Sequence, residues 1–310
     1  MRPYLMCPLA LAMFASPLQA QPVFRSGVDL VHLGVTVVGK DGQPVSGLRA
    51  EDFVIQEEGR EQGIAYFTRG LDNDLETMPL HLGVLFDTSG SMDRDAGFAK
   101  TAAIKFLRDL NFAVDMTLVS FDTEVRVSRF GQSDFPRLVE RLRGQETGGM
   151  TALYDALGVY LDGAFAQDGR KVLLLYTDGG DTRSRMRLGE LLDLVRASDV
   201  TVYAIGFQTQ LRVADRMMER LRLEEIVGLT GGQCYFPDSV DELDEIYAQI
   251  RDELAARYSL GYVSTDPTTD GAWRRVTVTL AGARPELEGA RIRARNGYFA
   301  PYFEDVPRDR

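Results

Sequence analysis

Along residues 80–256, short apolar runs alternate with stretches whose apolar positions recur every three or four residues. The runs Leu82–Phe86, Met116–Phe121, Val125–Ser128, Val172–Tyr176 and Val200–Phe207 predict strands, with Cys234–Phe236 as a short last one. The stretches 97–110, 134–143, 152–165, 188–198, 214–228 and 240–256 predict helices. The last is the best marked. Val240, Leu243, Ile246, Tyr247, Ile250 and Leu254 form one stripe, and Ser239 with Glu242 has the spacing of a capping box. Alternating β and α segments of this kind imply a doubly wound, mostly parallel sheet with helices on both faces.

The flanks read differently. Val31, Leu33, Val35 and Val37 alternate along a strand, and Lys40-Asp41-Gly42-Gln43-Pro44 follows as a turn. Phe53-Val54-Ile55 and Ile64-Ala65-Tyr66-Phe67 give two more short strands, with Glu57-Glu58-Gly59 as a turn between them. Past residue 257, Tyr258, Leu260 and Tyr262 alternate, as do Val276, Val278 and Leu280. A last strand, 291–295, sets Arg291, Arg293 and Arg295 on one face, which suits solvent or facing acids better than a specific anion site. Neither flank has enough strands for a core of its own. The two are therefore expected to meet as one small β-sandwich, with the α/β unit inserted between them. The expected division is a leader at 1–20, an N-terminal β segment at 21–70 and a linker at 71–79. The α/β domain then spans 80–256, followed by a C-terminal β segment at 257–303 and a tail at 304–310.

Composition narrows the setting. Arg2, the apolar stretch from Tyr4 to Phe14 and the small-residue end at Ser16–Ala20 have the anatomy of a signal peptide cleaved after Ala20. That predicts a secreted or periplasmic protein, with no transmembrane span after cleavage. Cys7 falls in the leader, so Cys234 stands alone in the mature chain and reads as a small buried hydrophobe. The net charge of −11 argues against non-specific nucleic-acid binding, which needs a basic footprint.

The candidate chemistry sits where the first central run ends. Gly83-Val84-Leu85-Phe86-Asp87-Thr88-Ser89-Gly90-Ser91 passes from apolar residues straight into Asp-x-Ser-x-Ser. Asp87, Ser89 and Ser91 offer hard oxygen ligands at the carboxyl edge of a sheet, where open α/β sheets bind ligands. Thr151, after Gly148-Gly149, and Asp178, in Thr177-Asp178-Gly179, end up on the same edge. Each fragment alone also reads as a turn or helix cap. Arg94 and Tyr154, however, stand where capping boxes started by Ser91 and Thr151 would need Glu or Gln.

The pattern Asp87-x-Ser89-x-Ser91, Thr151, Asp178 resembles the metal-ion-dependent adhesion site of von Willebrand factor A domains, over roughly residues 80–256. The flanks, Gly47-Leu48-x-x-x-Asp52-Phe53 and Arg295-x-Gly297-Tyr298-Phe299-Ala300-Pro301, are similar to a bacterial group of secreted proteins related to them. The resemblance implies a divalent ion, Mg²⁺ or alternatively Mn²⁺ or Ca²⁺. Ser89 and Ser91 would bind it directly, Thr151 directly or through water, and Asp87 and Asp178 through waters. It further implies a protein ligand whose Asp or Glu carboxylate completes the ion's shell, and a switch that shifts the helix at 240–256.

Two other readings stay open. A hydrolase would need more than the ion. Ser89 occupies the place of an aspartyl phosphatase's second acid, and His32 and His81 read as satisfied strand residues. No Gly-x-Ser-x-Gly elbow is present, and the one Gly-x-x-x-x-Gly-Lys, Gly34 to Lys40, is followed by Asp41 rather than the Ser or Thr of a phosphate loop. The chain is accordingly expected not to be an enzyme. A scaffold with a purely structural metal would close its shell with protein ligands, whereas this donor set leaves it open.

Overall fold

The computed structural model describes residues 30–70, 79–110, 113–208, 211–282 and 287–302. The predicted leader, the linker up to residue 78 and the 304–310 tail lie outside them. The chain begins with β1 (Leu30–Val38), β2 (Phe53–Glu57), β3 (Arg60–Gln62) and β4 (Ile64–Arg69). The α/β unit follows as β5 (Leu80–Asp87), α1 (Ala96–Asp109), β6 (Asp115–Phe121), β7 (Val125–Gly131), α2 (Phe135–Arg143) and α3 (Leu153–Ala164). It continues with β8 (Arg170–Thr177), α4 (Leu188–Ala197), β9 (Thr201–Gly206), α5 (Val213–Gly228), β10 (Gln233–Tyr235) and α6 (Val240–Ala256). Four strands close the chain: β11 (Tyr258–Val263), β12 (Trp273–Leu280), β13 (Arg291–Arg293) and β14 (Gly297–Phe299).

The central sheet has the order β10-β9-β8-β5-β6-β7. It is parallel except for β7, which runs antiparallel to β6. Only residues 122–124 join those two strands, too few for the crossover that a parallel pair needs. Side chains alternate across the sheet and feed two cores. Val84, Phe86, Leu174 and Tyr176 pack with α1, α2 and α6. Leu85, Leu173, Leu175 and Val202 pack with α3, α4 and α5. Burying each such side chain contributes roughly 1.5–3 kcal/mol, so the continuous apolar runs hold the sheet between its helices. From β5 the chain passes through α1 to β6 on one side, and later returns to place β8 on the other. The carboxyl ends of β5 and β8 thus flank a topological switch point, where a crevice opens.

The terminal strands form two antiparallel sheets, β13-β1-β11-β4 and β14-β12-β2-β3. They share one core, with Leu33, Val35, Leu260 and Tyr262 from the first sheet and Ile55, Val276 and Tyr298 from the second. This is the expected sandwich. Its details depart from the sequence reading in two places. The hairpin partner of β2 is β3, three polar residues without apolar alternation, while β4 crosses over to pair with β11. The arginine strand stops at Arg293. Arg291 is exposed, Arg293 reaches buried Glu253, and Arg295 lies beyond the strand and donates to the His32 carbonyl.

Only Arg257 separates α6 from β11, so the last helix runs directly into the sandwich. Glu253, buried near the end of α6, accepts from Tyr203 Oη (2.7 Å), Thr36 Oγ1 (3.2 Å) and Arg293. Arg257 donates to Thr201 Oγ1 (2.9 Å), the Gly34 carbonyl (3.1 Å) and Thr36 Oγ1 (3.3 Å). These bonds clamp the sandwich to the base of the α/β unit. At the other end of α6 the expected capping box is altered: Glu242 accepts from Ser239 Oγ and from the Asp238 amide, one residue further back than a box requires. His81 is satisfied, with Asp115 and the Asp168 carbonyl each 2.9 Å from its ring nitrogens. Burial pushes the Cys234 thiol up to about 12, in keeping with an unreactive packing residue.

Candidate metal centre

The apolar run of β5 ends at Asp87, whose side chain is fully buried at the sheet's carboxyl edge. Thr88 turns the chain there, its amide and hydroxyl both donating to the Phe121 carbonyl at 2.8 and 3.0 Å. The Ser89 amide donates to Asp87 Oδ1 at 2.9 Å, closing an Asx turn, and the next residues coil into a 3-10 turn, Gly90–Met92. Buried Met92 anchors that turn in the core. The turn brings the Ser89 and Ser91 hydroxyls to 3.1 Å from each other. Ser89 is buried and Ser91 exposed, so the pair runs from the interior to the surface.

The loop before α3 is fastened to this turn. The Gly148 amide donates to the Thr88 carbonyl (2.8 Å), and the Gly90 amide to the Gly149 carbonyl (3.2 Å). Gly149 has φ +76°, and a Cβ there would stand 2.6 Å from Thr123 Oγ1, so the approach requires glycine. Thr151 is buried behind it. Its amide donates to Thr182 Oγ1 (3.0 Å), and its carbonyl accepts from the Thr182 and Arg183 amides. It does not cap α3, whose N-cap is Ala152.

Asp178 follows the last residue of β8, is buried, and accepts the Gly180 amide at 3.0 Å. Thr177, just before it, makes the link across the switch point. Its hydroxyl donates to Asp87 Oδ2 (2.7 Å) and accepts from the Gly179 amide (3.1 Å). Asp87, Ser89 and Ser91 therefore share one turn. Thr151 rides on a loop bonded to that turn, and Asp178 lies close enough for its charge to act on Asp87.

Electrostatics identifies what this arrangement lacks. The Asp87 carboxyl is pushed up to about 7, chiefly by burial and further by the charge on Asp178. Hydrogen bonds from Ser89 and Thr177 oppose the rise, and no cation is among the main influences. The same Asp178 charge helps to raise Asp95 and Glu219, both lifted mainly by burial. A buried carboxylate with a second one acting on it, next to the paired Ser89 and Ser91 hydroxyls, is a donor set that fits a small hard cation.

A family profile for the von Willebrand factor type A domain matches residues 81–249, more than half of the chain. The chain belongs to the von Willebrand factor type A domain family. A search of curated proteins returned no match. Among solved structures the chain is similar to a von Willebrand factor type A protein from Catenulispora acidiphila. That pair shares 14% identity over 91% of this chain and 76% of the other, at TM-score 0.47. It is also similar to the PilB minor pilin from Streptococcus sanguinis, with 15% identity over 57% of this chain and TM-score 0.44. The match spans 62% of the pilin chain, less than two thirds of its length. The proximal thread matrix protein 1 from the mussel byssus, a structure with a zinc-occupied MIDAS motif, is 21% identical over 57% of this chain and 48% of its own, at TM-score 0.46.

Several residues that shape the A-domain site escape the strand-and-helix pattern. Thr177 is the main one. Asp181 accepts the Tyr154 amide (3.2 Å) and the Ser184 hydroxyl, and Asp155 accepts the Arg185 and Met186 amides. Together they staple the 178–187 loop across the start of α3. The signal available was the polar run from Thr177 to Ser184, directly after a buried strand.

Proposed function

We propose that the A domain binds a protein partner through a divalent cation, held at Asp87, Ser89, Ser91, Thr151 and Asp178. The observation that carries this is buried Asp87 at the switch point, bonded to the turn that bears Ser89 and Ser91 and under the charge of buried Asp178, with no cation among its main influences. Ser89, Ser91 and Thr151 would hold Mg²⁺, or Mn²⁺ or Ca²⁺, by their neutral hydroxyls. Asp87 and Asp178 would supply charge and order the ion's waters. The bound ion supplies a Lewis-acidic position for an anionic oxygen from outside. Because the ligands touching it are neutral, a partner's Asp or Glu carboxylate is the group best matched to it. The role is recognition rather than turnover. It is exercised outside the cytoplasm, in keeping with the leader expected at 1–20, with the 80–256 domain carried on the sandwich of the flanking strands. Among the described residues no helix is long and apolar enough to cross a membrane.

The test uses the mature protein as bait against envelope and secreted fractions, in Mg²⁺, in EDTA, and as the Asp178→Ala variant. A partner held only by the unaltered protein in Mg²⁺ supports the reading. Partners kept equally under all three conditions would move recognition off this edge and leave the ion a structural part.

A further inference from the structure

The first ten residues of α5 carry their apolar side chains on the outside. Val213, Met217 and Leu221 recur every four residues and are 81%, 66% and 54% exposed, with Met218 beside them at 52%. Only the later residues Leu223, Ile226 and Val227 of this helix are buried. A surface helix normally turns such a stripe inward, so among the described residues this one has no cover. The stripe is a neighbour of the candidate site. A Cβ on Gly179, next to Asp178, would lie 2.9 Å from Leu223 and 3.1 Å from Glu219 of α5. Six residues at 1.5 Å rise set Val213 ~9 Å further along the helix axis from Glu219. Across the site, Met150 precedes Thr151 and is 56% exposed.

Charge separates this rim from the rest of the molecule. The chain carries a net −11, yet residues 179–188 and 211–225 hold seven arginines against five carboxylates, and Arg220 and Arg222 are paired with Glu224 and Glu219. Arg183, Arg185, Arg187 and Arg212 are exposed and form no ion pair with the described residues. A cation site, a basic rim and an uncovered apolar stripe therefore adjoin on one edge. All three would be matched by one kind of ligand.

We infer that this edge takes an acidic, amphipathic segment of a partner protein. One carboxylate of the segment goes to the ion, further acids go to the arginine rim, and large apolar side chains lie on the outer face of α5. The inference rests on the metal-dependent reading and adds the chemistry that flanks the bridging acid. A footprint of ~800 Å² on one protein, the usual size, spans both the ion and the stripe.

The experiment pans a random dodecapeptide phage library on the mature protein in Mg²⁺, eluting first with EDTA and then with acid. Selected peptides are titrated against the unaltered protein, the triple variant Val213→Ser, Met217→Ser, Leu221→Ser, and the variant Arg183→Glu, Arg185→Glu. These exposed positions leave the core untouched, and unchanged thermal unfolding confirms that. The expected result is EDTA-eluted peptides rich in Asp or Glu beside Leu, Ile, Phe or Met, bound about tenfold or more weakly by each variant. EDTA-eluted peptides indifferent to both variants would overturn this inference and leave the metal reading standing. Peptides released only by acid but sensitive to the variants would keep the surface and sink the metal reading. No enrichment, or a dimer of the unaltered protein that the triple variant splits in sedimentation, would overturn the inference, the second by assigning the stripe to another copy.

Discussion

Competition between a proton and a metal ion at Asp87 is the most direct consequence of the site's geometry. Burial and the Asp178 charge hold this carboxyl up at about 7, against 3.8 in the unfolded chain. Roughly three pH units at 1.36 kcal/mol each amount to about 4 kcal/mol. The sign follows from linkage. In metal-free protein the folded state binds its proton more tightly, so the contribution is fully present below about pH 4. It is lost progressively as the pH climbs through about 7. A divalent ion needs the ionised carboxylate, so its apparent affinity should move the other way. Well below pH 7 it should fall about tenfold per unit, about fiftyfold between pH 7 and pH 5, and it should level off above 7. The assay is calorimetric titration of stripped protein with Mn²⁺ at pH 5, 6, 7 and 8, paired with urea unfolding with and without metal. Other titrating groups affect both unfolding curves alike, so their difference isolates the site. In metal-free protein, Asp178→Asn should move the loss of this stability to lower pH by removing the neighbouring charge. An affinity flat from pH 5 to 8, with parallel unfolding curves, would refute the reasoning.

Three further outcomes are expected. Mg²⁺ at 100 times its dissociation constant should stabilise the protein by about 2.7 kcal/mol, and Asp178→Ala should abolish that shift in thermal unfolding while still folding cooperatively. Thr177→Val should cost about 1–3 kcal/mol in urea unfolding, because it strips a donor from Asp87 Oδ2 and an acceptor from the Gly179 amide. Glu253→Leu should cost about 3–5 kcal/mol, because it leaves the cationic side chains of Arg257 and Arg293 without their buried acid. An unchanged urea midpoint for either variant would contradict the contacts drawn here.

The parts of this fold that were legible in the sequence are those where one physical signal dominates. A continuous apolar run such as Val172–Tyr176, short and bounded by polar turns, reads as a strand buried on both faces, and the stripe Leu243, Ile246, Ile250, Leu254 as one face of a helix. The sandwich followed from counting strands at the two ends. What stayed hidden depends on partners distant in the chain. β3 has no apolar alternation, and its pairing is set by the hairpin at Glu58, which takes φ +47°, and Gly59. The arginines at 291, 293 and 295 look equivalent in sequence, yet one meets solvent, one a buried glutamate and one a strand carbonyl. At the site, the five oxygen-bearing residues were readable because each ends a strand or opens a loop on one sheet edge. Thr177 was not, since its importance comes from reaching Asp87 across the switch point, ninety residues away in sequence. The apolar outer face of α5 was also unreadable: a helical period shows a stripe but not which way it points.

Whether Asp87, Ser89, Ser91, Thr151 and Asp178 hold one divalent ion is decided by anomalous diffraction from crystals soaked in Mn²⁺. A single strong anomalous peak is expected about 2.1 Å from both Ser89 Oγ and Ser91 Oγ, lost in Asp178→Ala crystals. No peak at this edge in millimolar Mn²⁺, or a peak that ignores the Asp178 substitution, would contradict a shared site.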